Sequence, residues 1–125
     1  MSKRFRIPFD KRGGVVVLSL RMIKSESYLS LSPQAKVLIT LMQSNWRNEK
    51  HVDYGIREAT QKIPCAKGTA MKAFKQLEDR GFITLKDESL FSSRTECKSR
   101  TWQLEWMPFN DMKPTNKWEE MANEN

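Results

Sequence analysis

The chain has 125 residues, of which 22 are Lys or Arg and 15 are Asp or Glu, for a formal net charge of +7. That length supports one domain with a real core and no need of cross-links, and the charge points to a polyanionic partner, nucleic acid first and an anionic membrane surface second. No apolar run reaches the roughly 20 residues that would span a bilayer, and the N-terminus lacks the apolar stretch of an export signal.

Taken in chain order, "MSKRFRIPFDKRGG" has no helical period and ends in Gly13-Gly14, so residues 1–14 read as a basic N-terminal arm. Within residues 1–24, seven Lys/Arg stand against one Asp, a local +6. "VVVLSL", Val15 to Leu20, is β-branched and predicts a short strand. "LRMIKSESYL" predicts a short helix with Leu20 and Ile23 facing inward. In "LSPQAKVLITLMQSNW", Ser32 is placed to cap a helix whose first position is Pro33. Ala35, Leu38, Ile39, Met42 and Trp46 then recur at helical spacing, with Val37 and Leu41 widening the apolar face, which marks this as the central core helix. "RNEKHVDY" reads as a polar loop or a short strand. "GIREATQKI", Gly55 to Ile63, predicts a short helix ended by Pro64.

"KIPCAKGTAMKAFKQLEDRGFITL", Lys62 to Leu85, carries the strongest pattern. Ala70, Ala73, Phe74 and Leu77 form one buried stripe at i, i+3, i+4 and i+7. The opposite face carries Lys67, Met71, Lys72 and Lys75, and residues 62–80 hold five Lys/Arg against two acidic residues, a local +3. Gly81 is placed to stop the helix in a left-handed turn, and "FITL" reads as a strand. After a polar stretch, "TWQLEW" alternates, with Trp102, Leu104 and Trp106 on one face and Thr101, Gln103 and Glu105 on the other, which predicts a half-buried strand. The two strands are expected to pair as a hairpin with a projecting loop. Beyond Pro108, residues 107–125 hold two lysines against four acidic residues, a local −2, and read as an extended C-terminal tail ending in a short, frayed helix. Trp118 is expected outside the domain, available to a second subunit.

This order resembles that of a winged helix-turn-helix domain, from about Ser32 to Trp106. "IREATQKI" is similar to the first helix of that motif and "PCA" to its turn. "KGTAMKAFKQLEDRGFI" looks like its recognition helix followed by the signature that opens the wing, with Leu77, Gly81, Phe82 and Ile83 at the signature positions. The upstream "MIKSESYLSLSPQAKVLITLM" is similar, more loosely, to the lead-in of small winged-helix proteins of phages, plasmids and other mobile elements. One residue departs from the pattern. Ala66 stands where the family often carries a Ser or Thr cap, at a cost of about 1 kcal/mol.

The resemblance implies an α+β, mainly α fold: a three-helix core plus a β-hairpin wing, occupying residues 15–106. It implies sequence-specific binding of double-stranded DNA, with the recognition helix (about 67–80) in the major groove and the wing (82–106) on the flanking backbone. The residues expected to contact DNA are Lys67, Gly68, Thr69, Met71, Lys72 and Lys75 on that helix, and Arg94, Lys98 and Arg100 on the wing. Lys3, Arg4 and Arg6 of the arm are expected to join them, with Lys11 and Arg12 nearby. Trp46, Trp102 and Trp106 fall on inward faces and are assigned to the core, and Leu90 and Phe91 in the wing loop are expected to pack back on the domain.

A transcriptional regulator is the first reading, acting as a homodimer on a partly palindromic site. A replication or recombination accessory factor of a mobile element stands beside it, and a protein-interaction module using the same surface without DNA is the third. An interaction module would be expected to show exposed apolar anchors. Enzymatic motifs are lacking. His51 is the only histidine, neither cysteine has a metal-ligand neighbour at the usual spacing, and there is no phosphate-cradling glycine loop. Cys65 and Cys97 have no pairing pattern and are expected as free thiols in the cytoplasm, associated with the nucleoid. No metal, cofactor, membrane or small-molecule effector is expected.

Overall fold

The computed structural model describes Asp10 and residues 12–88 and 100–123. The architecture is α+β and mainly helical, with six helices and a three-stranded antiparallel sheet among the described residues. Lys3, Arg4, Arg6, Lys11, Arg94 and Lys98 lie outside those residues, as do Leu90, Phe91 and Cys97. No described helix is long and apolar enough to cross a membrane.

The strand predicted at Val15–Leu20 does not form; residues 14–19 are irregular and Leu20 already opens α1, Leu20–Ile23. A β-branched run favours a strand only where a partner strand is in reach, and no described strand lies alongside this segment. The single turn of α1 docks through Met22, which is fully buried, while Leu20 is 65% exposed and Ile23 half-buried. The residue that faces inward is therefore Met22, in place of the predicted Leu20 and Ile23. α2, Glu26–Leu29, is a separate turn whose Ser25 cap accepts a hydrogen bond from the Tyr28 amide at 3.2 Å.

α3, Pro33–Gln43, starts as the sequence predicts, with Ser32 Oγ accepting from the Ala35 amide at 3.2 Å and Pro33 in the first turn. Ala35, Leu38, Ile39 and Met42 are fully buried. Val37 is 45% exposed, so the apolar face is narrower on that side than expected. Trp46 lies past the helix end, half-buried, and donates its indole N–H to the Pro108 carbonyl at 3.0 Å.

β1 is only Val52–Asp53. α4, Ile56–Lys62, buries Ala59 and ends at Ile63, just before Pro64. α5, Lys67–Asp79, buries Ala70, Ala73, Phe74 and Leu77 against the core and packs on α3. Its end is a Schellman turn. The Phe82 amide donates to the Leu77 carbonyl at 2.9 Å and the Gly81 amide to the Glu78 carbonyl at 3.2 Å, while Gly81 sits at φ 81°. That geometry satisfies carbonyls the helix would otherwise leave orphaned and favours a residue without a side chain at position 81.

Phe82 thereby enters the core and β2, Ile83–Glu88, begins. It pairs with β3, Arg100–Leu104, in the register Ile83↔Leu104 and Leu85↔Trp102, with a bulge between Leu85 and Asp87. β1 adds to the other edge of β3 through Val52↔Trp102, giving the order β1-β3-β2. Trp102 stacks on Phe74 at 5.3 Å and donates its indole N–H to the Tyr54 carbonyl at 3.0 Å. Sheet and α5 thus share one core.

Two expectations fail past Leu104. β3 ends there, and Glu105, placed on the polar face by strict alternation, is 1% exposed. Its carboxylate accepts from the hydroxyls of Thr84 and, at 2.6 Å, Thr115, and from Gln103 Nε2 at 3.3 Å, with Lys117 Nζ at 3.8 Å. Its backbone amide donates to the Phe82 carbonyl and its carbonyl accepts from the Asn116 amide, both at 2.8 Å. Trp118, expected outside the domain, is 3% exposed and lies in the same hydrophobic cluster as Phe82 and Leu104. It belongs to α6, Lys117–Asn123, so the C-terminal segment is part of the domain at this point.

Candidate nucleic-acid interface

The buried stripe of α5 fixes which way its other residues point. Lys67, Gly68, Lys72 and Lys75 are exposed, Met71 is 49% exposed, and Thr69 is half-buried beside the inward-facing Ala70. The structure therefore brings five of the six predicted helix residues onto one open surface and sets Thr69 at its margin. A Cβ built on Gly68 would meet nothing within 4 Å, so the glycine leaves open space at the start of the helix. The Ala66 cap supplies no side-chain oxygen to the first-turn amides. An α-helix leaves its first-turn N–H groups without intrahelical partners, and the helix dipole adds partial positive charge there.

Lys75 is not a lone cation. Its Nζ donates to Asp79 Oδ1 at 3.1 Å, one helical turn on, and both side chains are largely exposed. An exposed pair of this kind is weak and readily exchanged for another anion. From Lys67 to Leu77, however, α5 contains three lysines and no acidic residue.

Beside this face runs an open groove of about 920 Å³ between α4 and α5. Ile56 and Met71 contribute apolar surface; Arg57, Lys62, Lys67 and Arg100 contribute cations, and Glu58 the opposing carboxylate. Arg100 joins because β3 begins beside Tyr54, whose amide donates to the Arg100 carbonyl at 3.2 Å. Arg57 and Lys62 were not singled out from sequence. Lys62 counts toward the local charge excess, but which face of a seven-residue helix looks outward is set by how it docks on α5. Glu58 also acts on the interior. Burial first, and this carboxylate second, push the Tyr54 hydroxyl up to about 12.

No protein-family model, curated protein or solved structure matches this chain. The face must be read from its own chemistry.

A second hollow, about 510 Å³, lies where α3 gives way to β1 and is lined by Trp46, Arg47, Lys50 and His51 among others. His51 stacks on Phe109 with ring centroids 4.2 Å apart and planes within 6°. Of the arm, Arg12 is described; its guanidinium donates to Asp10 at 2.7–3.0 Å and holds that carboxyl below its usual range. Cys65 is a half-buried free thiol in the turn between α4 and α5.

Proposed function

We propose that this chain is a winged helix-turn-helix protein that binds double-stranded DNA, with α5 in the major groove and the β2–β3 hairpin as the wing. The observation that carries the reading is the outward face of α5: lysines 67, 72 and 75, with Met71 between them and Gly68 at the open end. A cationic helix face with an uncharged centre suits a groove, because lysines meet phosphates at its edges while Met71 is offered to base edges and thymine methyls. The groove alongside extends the cationic surface to Arg57, Lys62 and Arg100, enough to follow a backbone past the helix.

Regulation of transcription by a homodimer on a partly palindromic site is the role this surface fits best. The neighbouring role, an accessory factor in replication or recombination of a mobile element, would use the same face. A protein-interaction function draws support from a different observation: Val15, Val16, Val17, Leu20 and Leu29 are exposed aliphatic residues outside α5.

A duplex titration at two salt concentrations tests the DNA reading. With six to eight phosphate contacts, affinity falls by about 10³-fold or more between roughly 50 and 200 mM salt. A slope equivalent to one or two released ions overturns it.

A further inference from the structure

Two tight turns, 63 positions apart in the chain, lock together beside the second hollow. Arg47 and Lys50 pair across the first, the Lys50 amide donating to the Arg47 carbonyl at 3.4 Å. Phe109 and Met112 close the second, with Asn110 and Asp111 at φ 52° and 64°. Asn48 joins them. Its side-chain amide donates to Asp111 Oδ1 at 2.8 Å and its side-chain oxygen accepts from the Asp111 amide at 3.1 Å. Its backbone carbonyl accepts from the Asn110 amide at 2.7 Å. The stack of His51 on Phe109 sets the imidazole against the same partner turn. Non-glycine residues stay in the left-handed region where their surroundings over-determine them, and such places cluster at binding sites.

The hollow beside these turns is cationic. Its lining includes Asn45, Arg47, Lys50 and His51, against one carboxylate, Asp53, which is already engaged. Basic residues that follow a helix ordinarily serve its last carbonyls. At the end of α3 those are taken. Thr40 and Met42 accept from the Ser44 amide, Leu41 from the Ser44 hydroxyl and Gln43 from the Trp46 amide. The helix end therefore does not account for Arg47 and Lys50, both of which are exposed.

We propose that this hollow binds the phosphate of a small phosphomonoester. Such a group carries a charge of about −1.5 to −2 at neutral pH, which matches two cations, whereas a carboxylate needs one. The Arg47 guanidinium suits two phosphate oxygens at once, Lys50 adds a point charge, and Asn45 and His51 contribute N–H donors. At about 510 Å³ the hollow exceeds a bare phosphate and leaves room for the organic part of the ligand. It shares no lining residue with the groove between α4 and α5, so the site stands apart from the α5 face.

The test is a titration of the full chain followed through its amide chemical shifts, with sodium chloride holding ionic strength constant. Inorganic phosphate and adenosine monophosphate are both expected to move the amides of residues 45–53 along saturable curves, with a Kd of about 1 mM for inorganic phosphate. Dimethyl phosphate, a monoanion, is expected to bind about tenfold more weakly or worse. Arg47→Gln combined with Lys50→Gln is expected to abolish saturation while circular dichroism and melting temperature stay unchanged. Shifts that never saturate overturn the proposal, as do shifts confined to α5 or saturation that survives the double substitution. Equal binding of dimethyl phosphate also overturns it and assigns the surface to phosphodiester backbones. The probes contain no duplex, so failure here leaves the salt test of the α5 face standing.

Discussion

The indole of Trp118 stacks on the ring of Phe82, centroids 6.0 Å apart and planes within 9°. Phe82 is the first residue after the α5 stop, and Trp118 lies 36 positions later in α6. The guanidinium of Arg21 lies over the same indole at 5.5 Å and also pairs with Glu119. Ser27 adds a hydroxyl bond to the Trp118 carbonyl at 3.0 Å. The C-terminal segment therefore clamps α1 and α2 onto the point where α5 hands over to the sheet.

Removal of that indole should cost stability directly. Trp118→Ala is expected to lower unfolding free energy by about 3–5 kcal/mol, the range for a buried aromatic truncated in a core. Denaturant titration measures it, and a loss below about 1 kcal/mol would mean that α6 is a dispensable appendage.

Gly81→Val places a β-branched residue at a φ of 81°. The expected loss is about 1–3 kcal/mol, from strain in the left-handed region. Gly81→Asn should recover part of it, because asparagine tolerates that region better. Equal destabilisation by both would point to crowding rather than backbone strain.

Alkaline unfolding should report on Tyr54. Its hydroxyl is pushed up to about 12 in the folded protein, while the unfolded chain titrates near the ordinary value of 10.0. Between those limits the unfolded state has lost its proton and the folded state has kept it. Stability is therefore whole below about pH 10, declines by at most about 1.4 kcal/mol per pH unit, and levels above about 12. The difference between wild type and Tyr54→Phe isolates this decline from lysine titration. Parallel curves across the window would show that Tyr54 ionises as readily folded as unfolded.

On DNA, the α5 face predicts a division of labour. Met71→Ala should weaken a selected site by about 1–2 kcal/mol and leave a scrambled duplex nearly unaffected. Lys72→Ala should weaken both and reduce the salt slope by about one. Asp79→Asn removes the anion that holds Lys75, so it should tighten both duplexes. Equal losses for Met71→Ala on both sites would transfer the reading role away from this helix.

Much of this arrangement was legible in the sequence where its cause is local. Ser32 and Pro33 start α3 through hydrogen bonds within three residues, and the Leu77–Phe82 turn stops α5 within five. The stripe of Ala70, Ala73, Phe74 and Leu77 fixes the orientation of Lys67, Met71 and Lys72 without reference to the rest of the chain. A pattern with a 3.6-residue period states both what is buried and what is not. The winged-helix order and the DNA surface were expectations built on those local signals.

Only the tertiary structure decided the features whose partners lie far along the chain. Val15–Val17 have the composition of a strand, but strand formation needs a neighbour, and no described strand comes alongside. Glu105 fits an exposed position by alternation. It is buried because Thr84, 21 positions earlier, and Thr115, 10 positions later, bring hydroxyl donors to its carboxylate. Those donors offset a desolvation that would otherwise forbid the site. Trp118 looked like an appendage for the same reason, since Phe82 reaches it only once α5 has stopped and the sheet has formed. Local chemistry set where helices begin, end and face; long-range pairing set which remaining residues found partners.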